Sequence, residues 1–312
     1  MFHIGIAGKQ GNAVPCHELV CGITCAPGLI FGTTLGIFPV MRAVFPYSLV
    51  VLTNALVFTV AVPVLASDRP GYTNTPFLPD LPWHVHDPDR PVPRVVTPGN
   101  TFNQGANPPS DAVVLFDGKD LSHWTTISNS EPGWKVENGY TEIVPKSGNI
   151  RTKDEFGDFQ LHLEFCTPAT VEGESQGRGN SGIKISGRYE VQILDSFENA
   201  TYPDGQCGAL YGQWPPLVNA SRRPGEWQTY EIVFETARWD TNHKLVKPAC
   251  VTVIHNGVVL HHRKEFMGTT RHKEVLGYSE HPPHGPIVLQ EHGNAVRFRN
   301  IWIRDLGEYD KP

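Results

Sequence analysis

The feature that most constrains this fold is a series of short segments in which apolar and polar residues alternate, each ending in turn residues. Alternation with a period of two is typical of a strand with one buried face, and repeated short strands indicate an antiparallel sandwich. The 30 Gly and 27 Pro residues disfavour long helices. Nine such segments follow Asp111: AVVLFDG, GWKVENGYTEIV, FQLHLEFCT, SGIKISG, YEVQILD, WQTYEIVFET, CVTVIHNGVVLHH, PIVLQEHG and VRFRNIWIRD.

Two Asn-Gly pairs stand between apolar runs, Asn138-Gly139 and Asn256-Gly257. This dipeptide favours the tight turn of a two-residue β-hairpin. We therefore predict one all-β sandwich over residues 111–310. The net charge of −6 comes without a basic stripe, which excludes nucleic acid as the expected partner.

The N-terminal region carries targeting signals rather than strands. Residues 41–66 combine Arg42, an apolar run and small residues ending at Ala66, which predicts a cleaved signal peptide. A membrane anchor is the alternative interpretation, since the run approaches the length of a spanning helix. Residues 1–40 precede the signal and are interpreted as an extension upstream of a true start at Met41. We expect an exported protein, periplasmic or secreted, with no stable membrane span after cleavage.

Residues 67–110 are rich in proline, which blocks helix and central strand and favours extended backbone. The segment is either a linker or a strap over the domain surface, and its apolar residues favour the strap. Beyond it lie Cys166, Cys207 and Cys250. An odd number of cysteines predicts at most one disulfide, with the pairing left open.

Three strands carry unusual polar residues on one face. Glu190 and Gln192 alternate with Tyr189, Val191 and Ile193. In the same way, Gln290 and His292 share a face, and so do Gln160, His162 and Glu164. Such faces often simply meet solvent. Amide, imidazole and carboxylate groups beside Gly-rich turns instead indicate a site that orients hydroxyls or binds a metal.

Seven of the 14 histidines lie between His255 and His292. They lack the spacing of a zinc site, so we interpret all but His292 as surface loop residues. GxSxG and P-loop motifs are missing from the sequence, which removes the support for serine hydrolases and NTPases.

Several blocks resemble one known family in order along the chain: LFDGKDLSHW, GNSGIKISGRYEVQILDS, CGALYG, PGEWQTYEIVF, HNGVVLHH and GPIVLQEHGNAVRFRNIWIR. These are similar to the 3-keto-disaccharide hydrolases over about residues 111–306. The resemblance implies a concanavalin A-like jelly roll whose concave sheet binds sugar. It also implies proton abstraction at C2 of a 3-keto glycoside, elimination of the aglycone and hydration.

That chemistry needs a base, a group that stabilises the enolate oxygen and donors that orient hydroxyls. The residue types predict three catalytic candidates, Glu190, His292 and Glu164. Glu190 and His292 are also candidate ligands of a divalent cation such as calcium or manganese, and no organic cofactor is expected. The predicted substrate-binding residues are Asn180, Lys184, Arg188, Gln192, Asp195, Tyr211 and Gln290.

A competing interpretation is that the same polar face binds a sugar but catalyses no reaction. A lectin-like carbohydrate-binding module needs amides and aromatic residues, whereas an enzyme needs a titratable group with a shifted pKa in a dry pocket. A purely structural adhesion domain would leave the polar face without a role. The titratable groups favour the enzyme, acting on a sugar or glycoside.

Overall fold

The computed structural model describes residues 69–307 and residue 310. The predicted extension over residues 1–40 and the predicted signal peptide over residues 41–66 lie outside this part. Within it, no helix has the length and apolar character needed to cross a bilayer.

This part of the chain forms seventeen strands and two single-turn 3-10 helices, Ser175–Gly177 and Pro203–Gly205. The strands are β1 Arg94–Val95, β2 Val113–Phe116, β3 Trp124–Thr126, β4 Lys135–Glu137, β5 Tyr140–Glu142, β6 Ile150–Thr152, β7 Phe159–Cys166, β8 Ser181–Ile185, β9 Tyr189–Ile193, β10 Val218–Asn219, β11 Gln228–Glu235, β12 Arg238–Trp239, β13 Leu245–Lys247, β14 Cys250–His255, β15 Val258–Glu265, β16 Ile287–Leu289 and β17 Arg297–Asp305.

Two antiparallel sheets form the sandwich. The large sheet has the order β15-β14-β11-β7-β17-β5-β4, with β2 also paired to β17. The small sheet has the order β3-β6-β16-β8-β9. All nine sequence segments with period-two alternation contain strands, and the predicted all-β jelly-roll sandwich is confirmed.

The apolar faces of the two sheets pack against each other. Ile183, Val191 and Leu289 of the small sheet and Leu161 and Ile232 of the large sheet are all at most 1% exposed and belong to one core cluster. Burial of this apolar area is the main force that holds the layers together. It also turns the opposite face of each strand away from the core.

The Asn-Gly hairpins form as predicted. Asn256 and Gly257 have φ of 51° and 82° between β14 and β15, and Asn138 and Gly139 have φ of 49° and 80° between β4 and β5. Positive φ at both central residues is the type I′ geometry that matches strand twist. These turns set the register of two hairpins in the large sheet.

The proline-rich segment packs along the sandwich, and we call its described part, residues 69–110, the strap. β1 of the strap pairs in parallel with β10. Further along, the Asn103 amide donates to Glu231 Oε1 at 3.1 Å, and the Gly105 N–H donates to Glu164 Oε1. The strap therefore covers polar groups of the large sheet that would otherwise meet water.

Cys166, Cys207 and Cys250 are buried and free, so the structure has no disulfide among these three residues. Cys207 Sγ lies 3.0 Å from the hydroxyl of Tyr230. Burial raises the pKa of the Cys207 thiol to about 11.

Candidate active site

The outward face of the small sheet forms the floor of a cleft. Lys184 of β8 lies directly opposite Glu190 of β9 and Val288 of β16. One step along, Gly182 faces Gln192, and the Gln290 N–H donates to the Gly182 carbonyl at 3.0 Å. Antiparallel pairing thus gathers the polar residues of three strands into one patch.

Gly182 makes this patch possible because it has no side chain. A Cβ at that position would stand 2.1 Å from Gln290 Oε1 and 3.2 Å from Glu190 Oε1. A glycine within a strand often marks such a close approach. The side chains of Gln290 and Glu190 occupy the space above it.

Glu190 lies at the centre of the floor and is 5% exposed. Its carboxylate accepts a hydrogen bond from Gln290 Nε2 at 3.1 Å and lies 3.7 Å from the Lys184 ammonium. Burial raises the pKa of Glu190, and the nearby Lys184 charge only partly offsets the loss of water. A carboxylate that has lost its hydration in this way is a stronger base than one in solution.

Three amide oxygens in the cleft have no hydrogen-bond partner among the described residues. They belong to Asn180, Gln192 and Gln290, and all three atoms are buried. The amide nitrogens of the same residues are engaged, for example Gln192 Nε2 with Gln176 Oε1 at 2.9 Å. Because an unpaired buried acceptor is costly, these oxygens are suited to accept from the hydroxyl groups of a ligand.

Loops raise the walls of the cleft. The loop after β9 runs along the strand edge, where the Tyr211 N–H donates to the Glu190 carbonyl at 3.2 Å. Thr270 is fixed beside the same strand, since the Glu190 N–H donates to its hydroxyl at 3.2 Å and that hydroxyl donates to the Arg188 carbonyl. These contacts bring Tyr211 and the neighbours of Thr270 over the floor.

The complete cleft has a volume of about 600 Å³. Its lining consists of Tyr72, Gln176, Asn180, Lys184, Glu190, Gln192, Tyr202, Tyr211, Arg271, His272, Gln290 and His292.

Two histidines stand at the rim. Partial removal from water lowers the pKa of His292, and the nearby Lys184 charge lowers it further. Burial, His86 and Lys273 lower the pKa of His272, whose Nδ1 lies 3.0 Å from the Tyr211 hydroxyl. Both shifts favour the neutral imidazole, which accepts protons, at pH 7.

The cleft fits a divalent cation poorly. Among the described residues, no group of three or more His, Cys, Asp or Glu side chains is placed to hold a metal ion. The single carboxylate of the floor, Glu190, already faces the Lys184 ammonium at 3.7 Å. Calcium requires six to eight oxygen ligands, and the nearby ammonium repels the ion. Glu190 and His292 therefore do not by themselves supply the ligand set of a divalent cation.

The structure brings most of the predicted site residues together. Asn180, Lys184, Glu190, Gln192, Tyr211, Gln290 and His292 all line the one cleft. Two predicted substrate-binding residues point elsewhere. Arg188 lies in the turn after β8, where its guanidinium donates to Ser279 Oγ at 3.0 Å. Asp195 lies beyond the end of β9 and accepts from Arg178 Nε at 2.6 Å.

Glu164 is the main correction, because it lies on β7 in the large sheet and does not line this cleft. It is fully buried and accepts from Arg299 Nε at 2.7 Å and Asn300 Nδ2 at 3.0 Å. Burial opposes its ionisation, but the nearby His162 and the hydrogen bonds from Asn300, Gly105 and Arg299 lower the pKa of Glu164 to about 2. Alternation gives the face of a strand but not the sheet to which the strand belongs.

Sequence reasoning missed the loop residues of the cleft. Gln176, Tyr202, Arg271, His272 and Tyr72 line it without lying on any of the nine alternating segments. The interpretation of the other histidines as surface residues was wrong for His255 and His261 and right for His262 and His284, which are exposed. His255 and His261 are at most 4% exposed, and His272 lines the cleft. The Gly-rich turn at Gly205 was the one sequence feature that pointed to a wall residue. A Cβ at Gly205 would stand 2.1 Å from the ring of Tyr202, which lines the cleft.

A jelly-roll sandwich whose cleft combines amide, carboxylate and aromatic side chains defines the class of carbohydrate-active β-sandwich proteins. The chain belongs to the family of 3-keto-alpha-glucoside-1,2-lyase-like domains, whose sequence profile matches residues 111–304.

The solved structure of one similar protein agrees with this class. A protein from Parabacteroides distasonis that is provisionally classed as a glycosyl hydrolase is 46% identical, with a TM-score of 0.62 over 69% of this chain and 93% of that chain. A second protein of the same provisional class and organism is 26% identical, covering 62% of this chain and 99% of that chain with a TM-score of 0.47. No curated protein matches the chain.

Proposed function

We propose that this protein cleaves 3-keto glycosides by removing the proton from C2 of the oxidised sugar. The observation that carries the proposal is Glu190, a buried carboxylate with a raised pKa on the floor of a polar cleft, 3.7 Å from the Lys184 ammonium. A ketone at C3 acidifies the C2 proton, so the reaction needs one strong base beside one fixed positive charge. The family of the domain supports this substrate class.

The proposed steps use residues of the floor. Glu190 takes the C2 proton, and the enolate charge that develops on O3 is stabilised by Lys184. The C1–O bond then breaks, and the protonated Glu190 returns its proton to the departing oxygen, which its raised pKa favours. The products are an unsaturated keto sugar and the free aglycone.

Hydration completes the proposed reaction. Water adds to C1 of the unsaturated sugar, and His292, which is neutral at pH 7, accepts the proton of the attacking water and releases it to solvent. Glu190 takes up a solvent proton and delivers it to C2. The unpaired oxygens of Asn180, Gln192 and Gln290 accept from sugar hydroxyls and fix the ring above Glu190.

The experiment compares one glycoside with and without the ketone. Purified protein is incubated in D₂O with p-nitrophenyl 3-keto-α-glucoside and with p-nitrophenyl α-glucoside. We expect release of nitrophenol and deuterium at C2 from the keto compound only, and equal rates with and without a chelator. Cleavage of the unoxidised compound would contradict the proposed chemistry.

A carbohydrate-binding module is the alternative outcome of the same experiment. Such a module would bind both compounds, leave both intact and exchange no C2 proton. Glu190→Gln serves as the control for contaminating enzymes, because it removes the base and keeps the shape of the side chain.

A further inference from the structure

The strap contributes to the cleft although it lies outside the residues that define the family. The family match begins at residue 111, whereas Tyr72 of the strap lines the cleft. The Tyr72 ring stands edge-on to His272, with centroids 5.7 Å apart at 83°, and lies 6.1 Å from the Tyr202 ring. One part of the aromatic wall is therefore supplied by the strap.

A buried pair fixes this part of the strap. The His86 N–H donates to Asp204 Oδ2 at 2.9 Å, and His86 Nδ1 lies 3.1 Å from Asp204 Oδ1. Both residues are fully buried. His86 has a φ of 60°, a left-handed conformation that costs free energy for a residue with a side chain and persists only where the surroundings hold it. The Asp204 contacts supply that constraint.

The pair also sets the positions of the aromatic rings. The Tyr72 N–H donates to the His86 carbonyl at 2.9 Å, which ties Tyr72 to the pair. The imidazole of His86 lies 4.1 Å from the Tyr202 ring and 4.9 Å from the Tyr211 ring. The hydroxyls of Tyr202 and Tyr211 are 2.9 Å apart. A change at His86 or Asp204 therefore reaches the ligand through these rings.

The wall and the floor differ in chemistry. The floor presents Glu190, Lys184 and amide groups, which suit an oxidised sugar. The wall presents four rings, Tyr72, Tyr202, Tyr211 and His272. Aromatic faces and edges pack on other rings and on the apolar faces of sugars, whereas they gain little from a single methyl group.

We propose that Tyr72 is a specificity-determining residue that contacts the leaving half of the substrate, and that His86 and Asp204 are a positioning pair for the aromatic wall. The inference rests on the proposed function and extends it. The preferred substrates are 3-keto glycosides whose leaving group is itself a ring, an aromatic aglycone or a second sugar.

The first test compares p-nitrophenyl and methyl 3-keto-α-glucosides. For Tyr72→Ala, we expect kcat/KM to fall about tenfold on the nitrophenyl compound and less than about twofold on the methyl compound. Tyr72→Phe keeps the ring and should restore the nitrophenyl rate. An equal loss on both substrates would overturn the proposal.

The matched control is Phe77→Ala. Phe77 also belongs to the strap and packs on His84, but it is 60% exposed and does not line the cleft. We expect both rates to stay within about twofold of wild type. If Phe77→Ala reproduces the loss of Tyr72→Ala, the strap acts only through stability and the assignment of Tyr72 is wrong.

The positioning pair is tested with Asp204→Asn, which keeps the size of the side chain and removes its charge. We expect KM for the nitrophenyl compound to rise several-fold, while kcat on the methyl compound stays within about twofold. A purely structural role would lower the rates on both compounds together with the melting temperature, and that pattern would overturn the assignment.

Equilibrium binding separates this inference from the proposed reaction. Calorimetry with unoxidised p-nitrophenyl α-glucoside and methyl α-glucoside needs no turnover. We expect wild type to bind the nitrophenyl compound about five- to tenfold more tightly and Tyr72→Ala to lose this preference. If the preference holds while wild type cleaves no keto glycoside, the reaction is wrong and the strap subsite stands. Equal affinities, or no binding of either compound, would overturn the subsite.

Discussion

Glu164 and Glu190 are both strand carboxylates on faces that the sequence marks as polar, and both are buried. On the large sheet, Glu164 accepts from Arg299, Asn300 and the Gly105 N–H. On the small sheet, Glu190 accepts from Gln290 and lies 3.7 Å from Lys184. Their pKa values move in opposite directions, to about 2 for Glu164 and upward for Glu190.

The number of donors explains the difference. Several hydrogen bonds to a carboxylate replace its lost hydration and stabilise the charge, whereas burial with fewer donors destabilises it. The strap supplies one of the donors to Glu164, the Gly105 N–H. Burial alone therefore does not identify a reactive group. A reactive carboxylate is buried, short of donors and open to a cleft.

The largest expected effect separates the two residues by activity. Glu190→Gln should lower kcat/KM on a 3-keto glycoside by about 10² to 10⁴, because it removes the base. Glu164→Gln, assayed at a temperature where it remains folded, should keep turnover within about threefold of wild type. Steady-state kinetics on both variants check this, and near-normal activity of Glu190→Gln would remove the proposed distinction.

The effects on stability should have the reverse order, with Glu164→Gln more destabilising than Glu190→Gln. Glu164→Gln removes the buried charge that pairs with the Arg299 guanidinium at 2.7 Å and should lower the free energy of unfolding by about 3 kcal/mol at pH 7. The folded pKa of about 2 lies below the usual 4.5. The stabilisation is therefore complete above about pH 4.5 and disappears as the pH falls towards 2. Denaturant titrations across this range should show the two proteins converging in acid.

Lys184 should influence the pH above which Glu190 is ionised and can act as a base. Because its charge lowers the pKa of Glu190, Lys184→Gln should move the acid limb of the kcat/KM profile to higher pH. It should also lower kcat by about 10², the usual effect of losing one group that stabilises an oxyanion. If the acid limb of the Lys184→Gln profile stays at the wild-type pH, the group that titrates there is not Glu190.

The smallest expected effect has the opposite sign to that of Glu164→Gln. The raised pKa means that ionising Glu190 destabilises the folded protein above the usual pKa of 4.5. Glu190→Gln should therefore raise the free energy of unfolding at pH 7 by about 1 kcal/mol or less, and the gain should vanish below pH 4.5. Thermal unfolding at both pH values tests it, and a loss of stability at pH 7 would indicate a structural carboxylate.

The sequence predicted the strands and the floor of the cleft because alternation is a local property. Glu190, Gln192 and Gln290 were placed on polar faces by their spacing from Val191, Ile193 and Leu289, and the structure brings them together. Glu164 had the same local pattern. Only the pairing of β7 with β11 and β17 assigns it to the other sheet, and pairing between distant segments has no period in the sequence.

The walls were harder to predict for a different reason. Tyr72, Tyr202 and His272 lie on irregular segments whose positions depend on tertiary contacts such as that between His86 and Asp204. Loops carry no repeating pattern of burial, so nothing in the sequence places their side chains. The predictions for Arg188 and Asp195 were wrong because both residues lie just outside the ends of β9. There the chain turns, and alternation no longer predicts where a side chain points.

The three buried cysteines have a practical consequence. Cys166, Cys207 and Cys250 are shielded from solvent, and burial raises the pKa of each thiol. Thiol reagents attack the thiolate, so the folded sandwich should resist alkylation and oxidation at all three positions. Cys207 belongs to the core cluster between the sheets, so reagent uptake there should begin only when the core opens. The rate of labelling of the Cys207 thiol thus reports how often the core opens, without an engineered probe.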